Sequence, residues 1–136
     1  MADTTVRLAW AGRGLEFEGG AVGGPQVVFD GDGKAGISPV QTLLAALAGC
    51  MGADVVDIAQ KSRVQFTGVD VVVEGDRRTD PPRRYTKIVI RITVTGAAEA
   101  DRPRIQRAVD LSRDTYCSVL HSIRPDIPVD TELVLA

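Results

Sequence analysis

The sequence predicts an α+β fold, and three observations predict it. Apolar residues recur with period two in several separate segments, and with a period of three to four in two others. The segments follow one another in the order βββα, ββ, α, β. With 136 residues the chain has length for one hydrophobic core, so a single domain over residues 1–136 is expected.

Taken in order, Val6, Leu8 and Trp10 alternate with Arg7 and Ala9, and Leu15 and Phe17 alternate with Glu16 and Glu18, the pattern of two half-buried strands. Gly12-Arg13-Gly14 lies between them as a turn, and Gly19-Gly20 closes the second strand. Val27-Val28-Phe29 marks a third strand before the loop Asp30-Gly31-Asp32-Gly33. A long helix follows, with Ser38 as N-cap and Pro39 in its first position. Leu43, Leu47, Cys50, Met51, Val55 and Ile58 form its apolar stripe, which puts Cys50 on or beside the buried face.

From Val64 to Gly96 the period returns to two. Val69, Val71 and Val73 alternate with Asp70 and Glu74, and Ile88, Ile90, Ile92 and Val94 alternate with Lys87, Arg91 and Thr93, as in a long antiparallel hairpin. Its connection, residues 76–84, holds four arginines, two prolines and two aspartates, and is expected to protrude into solvent. Asp101 is expected to cap a second helix with Pro103 in its first turn, and Ile105, Ala108, Val109, Ser112 and Tyr116 mark one side of it. A short continuation through Val119, Leu120 and Ile123 ends before Pro125, and Val129, Thr131, Leu133 and Leu135 alternate as a closing strand.

Composition narrows the function. The chain is 44% apolar with a formal net charge of −2 and lacks the basic stripe that phosphate binding requires, which argues against nucleic acid as a partner. The uncharged stretch Ala35–Ala53 has the length of a membrane span. Polar residues at one end, three dilutive glycines and the absence of a flanking basic cluster favour a buried amphipathic helix instead, so no membrane partner is expected. Residues 1–5 show neither the charged start nor the apolar core of a targeting peptide, and a cytoplasmic location is expected, where thiols stay reduced.

Cys50 and Cys117 are the two thiols of the chain, far apart in sequence and in two helix-like segments. Their spacing, with His121 as the sole histidine, matches no zinc motif, so neither a metal nor another cofactor is expected. In a reducing compartment such a pair invites a redox reading in which one sulfur attacks and the other resolves. The alternative for Cys50 is a small buried hydrophobe. His121 follows Cys117 by four positions; on a continuing helix its imidazole would stand one turn away, and a solvated or capping role is the alternative. Asp54 and Asp57 are read as solvent-facing or interface carboxylates.

Ser38-Pro39 opening a helix that runs Leu43-Leu44-Ala45-Ala46-Leu47-Ala48-Gly49-Cys50, the long hairpin, and Leu111-Ser112 leading to Tyr116-Cys117-Ser118-Val119 together resemble the OsmC/Ohr family over nearly the whole chain. The family comprises osmotically induced and organic hydroperoxide resistance proteins, and the segments look most like a less characterised branch of it. The resemblance implies an interlocked homodimer whose antiparallel sheets wrap around central helices, with two sites at the subunit boundary. It further implies a cysteine-based peroxidase-like activity: Cys50 attacks an organic hydroperoxide, Cys117 resolves, and a dithiol reductant restores the thiols.

Cys50 stands about three turns from Ser38, too far for the helix N-terminus to activate it. The resemblance supplies a cation in the turn between the first strands, where Arg13 is the match and Arg7 the alternative. One departure matters. Peroxidase members carry a glutamate directly after the helix-starting proline to hold that arginine; here the position is Val40, followed by Gln41, which accepts a hydrogen bond but brings no charge. A non-catalytic binding or redox-regulatory protein on the same scaffold is therefore the second reading.

Overall fold

The computed structural model describes residues 2–136, which form two compact units, 2–43 and Leu44–Ala136. The element order is β1 (Val6–Trp10), β2 (Glu16–Ala21), β3 (Val27–Asp30), α1 (Pro39–Lys61), β4 (Gly68–Arg77), β5 (Tyr85–Thr95), α2 (Arg102–Leu111) and β6 (Val129–Leu135). This is the expected α+β order.

In the N-terminal unit β1, β2 and β3 form an antiparallel meander with Leu8 opposite Gly19 and Phe17 opposite Phe29. The β1–β2 turn is closed by the Ala11 N–H donating to the Glu16 carbonyl and by the Trp10 indole N–H donating to the Gly14 carbonyl, with Gly12 and Gly14 at φ +84° and +49°. Gly19 is required for another reason: a Cβ there would collide with the Arg7 carbonyl on the neighbouring strand. The strands were expected to be half-buried, and that expectation is corrected. Val6, Leu8 and Trp10 are 62%, 42% and 60% exposed, because this unit has no second layer of its own to cover the sheet.

The loop after β3 folds around Asp30. Its carboxylate accepts the backbone N–H groups of Asp32, Lys34 and Ala35, and these bonds hold its pKa below the ordinary carboxylate value. The start of α1 is a reciprocal capping box: the Gln41 N–H donates to Ser38 Oγ at 3.2 Å, and the Ser38 N–H donates to Gln41 Oε1 at 3.1 Å. Gln41 is thereby engaged in starting the helix.

In the C-terminal unit β5 is the central strand of a three-stranded sheet. The β4–β5 hairpin is antiparallel, with Val71 opposite Ile92. The closing strand differs from the expected antiparallel arrangement: β6 runs parallel to β5, with Ile90 opposite Thr131, because the connection crosses over through α2 instead of turning back directly. Ile88, Ile90, Ile92 and Val94 are buried on one face, while Arg91 on the other bridges Glu74 of β4 and Glu132 of β6. Gly52 of α1 lies against Val71 of β4, and Gly75 leaves room for the Tyr85 ring.

Helix α1 buries Leu47, Met51, Val55 and Ala59, an i, i+4 stripe. By length and composition alone it could cross a membrane, but this stripe makes it a core helix. It ends in a Schellman arrangement, with Val64 donating to the Ala59 carbonyl and Arg63 in the left-handed region.

Asp101 does precede α2, yet its side chain makes no capping hydrogen bond; a short 3-10 turn over Glu99–Asp101 leads into the helix, and the Asp101 carboxylate stands 3.5 Å from Arg104 instead. The hairpin tip is exposed as expected. The Arg77 and Arg83 guanidiniums donate to carbonyls across the tip and that of Arg84 to the adjoining Tyr85 carbonyl, so these three arginines shape the loop.

Candidate functional site

The two thiols meet in the C-terminal unit. Cys50 is half-buried on α1, and Cys117 is fully buried at the far end of the α2 segment. Both are free, and Cys50 stands near enough to Cys117 to act on its thiol.

What brings Cys117 inward is a change of helical pitch. Past Leu111 the backbone widens to a π-type turn over Ser112–Tyr116, in which the Cys117 N–H donates to the Ser112 carbonyl five residues earlier, at 2.8 Å. On a regular helix the residue one turn after buried Ser112 is Tyr116, which was expected on the buried side. The wider turn shifts the phase by one residue, so Tyr116 is 57% exposed and Cys117 is buried. At Cys117 the backbone turns extended, and a 3-10 turn over Leu120–Ser122 follows.

Burial, above all, pushes the Cys117 thiol up to about 11, and the neighbouring Cys50 sulfur and the Asp54 carboxylate add to the rise. The Leu120 N–H, which donates to the Cys117 sulfur at 3.4 Å, opposes them in part.

Asp54, expected to face solvent or an interface, also makes a bond inward. It is half-buried one turn beyond Cys50, and its Oδ2 accepts the hydroxyl of fully buried Ser112 at 2.8 Å. The sequence held a signal for this pair: Ser112 lies on the apolar stripe of its helix, and a buried hydroxyl needs a partner. Asp57 pairs with Lys61 at 2.9 Å on the exposed side. An open depression of about 600 Å³ adjoins the pair, lined by Asp54, Asp57, Ile58, Lys61, Ser62, Leu111 and Tyr116.

His121 does not continue a helix from Cys117. Its Nε2 hydrogen-bonds to the Arg113 carbonyl at 3.0 Å, so it ties the loop to the preceding turn. Arg13 occupies the β1–β2 turn of the N-terminal unit, where its Nε is 2.9 Å from Glu16 and its side chain is 72% exposed. Arg7 lies on β1 opposite Gly20.

Comparison with known proteins identifies the family. The family model described as OsmC-like protein matches residues 31–132. The chain is 40% identical over 115 residues to Protein YhfA of Escherichia coli K12, covering 84% of each. A hypothetical protein from Aquifex aeolicus VF5 superposes with a TM-score of 0.87 at 26% identity, over 100% of this chain and 98% of that one. The organic hydroperoxide resistance protein OhrB of Bacillus subtilis shares the fold, with a TM-score of 0.59 at 18% identity over 99% and 98% of the two chains. With three quarters of its length matched by the family model and a relative at 40% identity, this chain belongs to the OsmC-like family.

Proposed function

We propose that this protein is a thiol-dependent, peroxidase-like enzyme that reduces organic hydroperoxides, with Cys50 attacking and Cys117 resolving. The observation that carries the reading is the contact between the two thiols, made by residues from opposite halves of the chain. The name of the Bacillus subtilis relative, an organic hydroperoxide resistance protein, supplies the substrate class.

The chemistry runs in three balanced steps. The Cys50 thiolate attacks the distal oxygen of the hydroperoxide, the O–O bond breaks, and the alkoxide leaves with a proton as the alcohol. Cys117 then displaces hydroxide from the Cys50 sulfenic acid, and its own proton completes the water released with the disulfide. An external dithiol reduces that disulfide by exchange and is itself oxidised to a disulfide. Cys117 suits resolution better than attack, because its raised pKa keeps it a thiol until a sulfenic acid stands beside it. Arg13 is the cation assigned to the attack step, with Arg7 as the alternative. The active species is a cytoplasmic homodimer, a reading supported by the exposed apolar residues of β1 and of Leu43 on α1.

A non-catalytic binding or regulatory role is the second reading, favoured by Val40 at the position of the family's glutamate. Steady-state consumption of cumene hydroperoxide with a dithiol reductant decides between them. Turnover well above a Cys50→Ser control is expected, and turnover equal to that control retires the enzyme.

A further inference from the structure

Asp54 lies one helical turn past Cys50 on α1, and Ser112 begins the wide turn that ends at Cys117. One residue joins both ends: the Ser112 hydroxyl donates to Asp54 Oδ2 at 2.8 Å, while the Ser112 carbonyl accepts the Cys117 N–H at 2.8 Å. Ser112 is fully buried, so its hydroxyl has no solvent to fall back on, and the bond to a carboxylate is of the stronger kind.

We propose that Asp54 is the positioning residue of the thiol pair: through Ser112 it latches the turn that presents Cys117 to the helix that presents Cys50, and so holds the two sulfurs at closing distance. This rests on the reading of Cys50 and Cys117 as a redox couple, but not on hydroperoxide as the oxidant. Its charge has a second effect. The groups that act on the Cys117 thiol are Cys50 and Asp54 from α1 and the Leu120 N–H from its own loop, and Asp54 is the carboxylate among them. Asp54 thus holds the Cys117 turn in place, and its charge adds a minor part to a rise that burial mainly causes.

The test is equilibration of the full-length protein with glutathione and glutathione disulfide, in which two protein thiols become one disulfide as glutathione disulfide becomes two glutathiones. The readout is the effective concentration of the pair. Ser112→Ala is expected to lower it by about tenfold or more, and Asp54→Val, which reads the same latch from the other side, by a similar factor. Asp54→Asn retains an acceptor for the Ser112 hydroxyl and is expected to stay within about threefold of wild type.

In a Cys50→Ser background, Asp54→Asn is also expected to shift the pH profile of Cys117 alkylation by iodoacetamide to lower pH, which a merely structural role would not do. Folded Ser112→Ala or Asp54→Val protein with an unchanged effective concentration overturns the latch. A latch-dependent disulfide without hydroperoxide turnover retires the peroxidase reading and keeps the latch. Wild-type turnover by Ser112→Ala together with an unchanged effective concentration does the reverse.

Discussion

The backbone N–H of Cys117 reaches the carbonyl of Ser112 five residues earlier, and this one widened turn decides which side chain enters the core. Tyr116 is left outside and Cys117 is taken in. Substitutions at these neighbours should therefore differ sharply. Tyr116→Ser is expected to change unfolding free energy by no more than about 0.5 kcal/mol, as for other exposed sites. Cys117→Leu should cost about 1–3 kcal/mol through overpacking, and equal effects in denaturant titrations would contradict the assigned burial.

On the proposed roles, removing Cys117 should redirect the chemistry of Cys50. One equivalent of organic hydroperoxide is expected to give an intramolecular Cys50–Cys117 disulfide in the wild type, read by non-reducing peptide mapping. In Cys117→Ser the Cys50 sulfenic acid has no partner and should accumulate, then pass to sulfinic acid. Cys50 remaining reduced under these conditions would end its role as the attacking sulfur.

The arginine assignment separates by kinetics. If Arg13 supports the thiolate and the departing alkoxide, Arg13→Ala should slow Cys50 oxidation by about tenfold or more, the scale of one charged hydrogen bond. Arg7→Ala should leave the rate near wild type. The reverse ranking in single-turnover measurements would move the role to Arg7.

Cys117 also makes stability depend on pH. Its folded-state pKa of about 11 lies above the ordinary thiol value of 9.0, so the folded protein holds this proton more tightly than the unfolded chain. The contribution is complete below pH 9 and is lost as pH rises from about 9 through about 11. Over that window the wild type should lose on the order of 2 kcal/mol relative to Cys117→Ala. Parallel curves for the two proteins would show that burial does not hold the proton as described.

The dimer is testable through the sheet of the N-terminal unit. Val6, Leu8, Trp10 and Val27 are all exposed in the single chain, more apolar surface than a small soluble unit normally leaves uncovered. Light scattering at low micromolar concentration is expected to give twice the chain mass, and Trp10→Glu to shift the protein toward monomer. A well-folded wild-type monomer would remove the shared-site arrangement.

Much of this fold is legible in the residue pattern because its signals are local. Period-two runs mark β4 and β5, Ser38-Pro39 marks the start of α1, and Gly12 to Gly14 mark a turn, each through backbone preferences that need no distant partner. The presence and identity of both thiols are equally plain in the sequence. Non-local features were not legible. No local preference sets β6 parallel to β5, since that follows from the crossover through α2. The pitch change after Leu111 likewise leaves no mark in composition, yet it alone exchanges Tyr116 for Cys117 in the core. The bond between Asp54 and Ser112 spans 58 positions, a separation at which only the folded chain can pair a buried hydroxyl with its acceptor. The sequence by itself determined that the chain carries two thiols, and the tertiary structure decided that they come together and that Ser112 bonds both to Asp54 and to the backbone of Cys117, because these pairings join residues that no local preference can bring together.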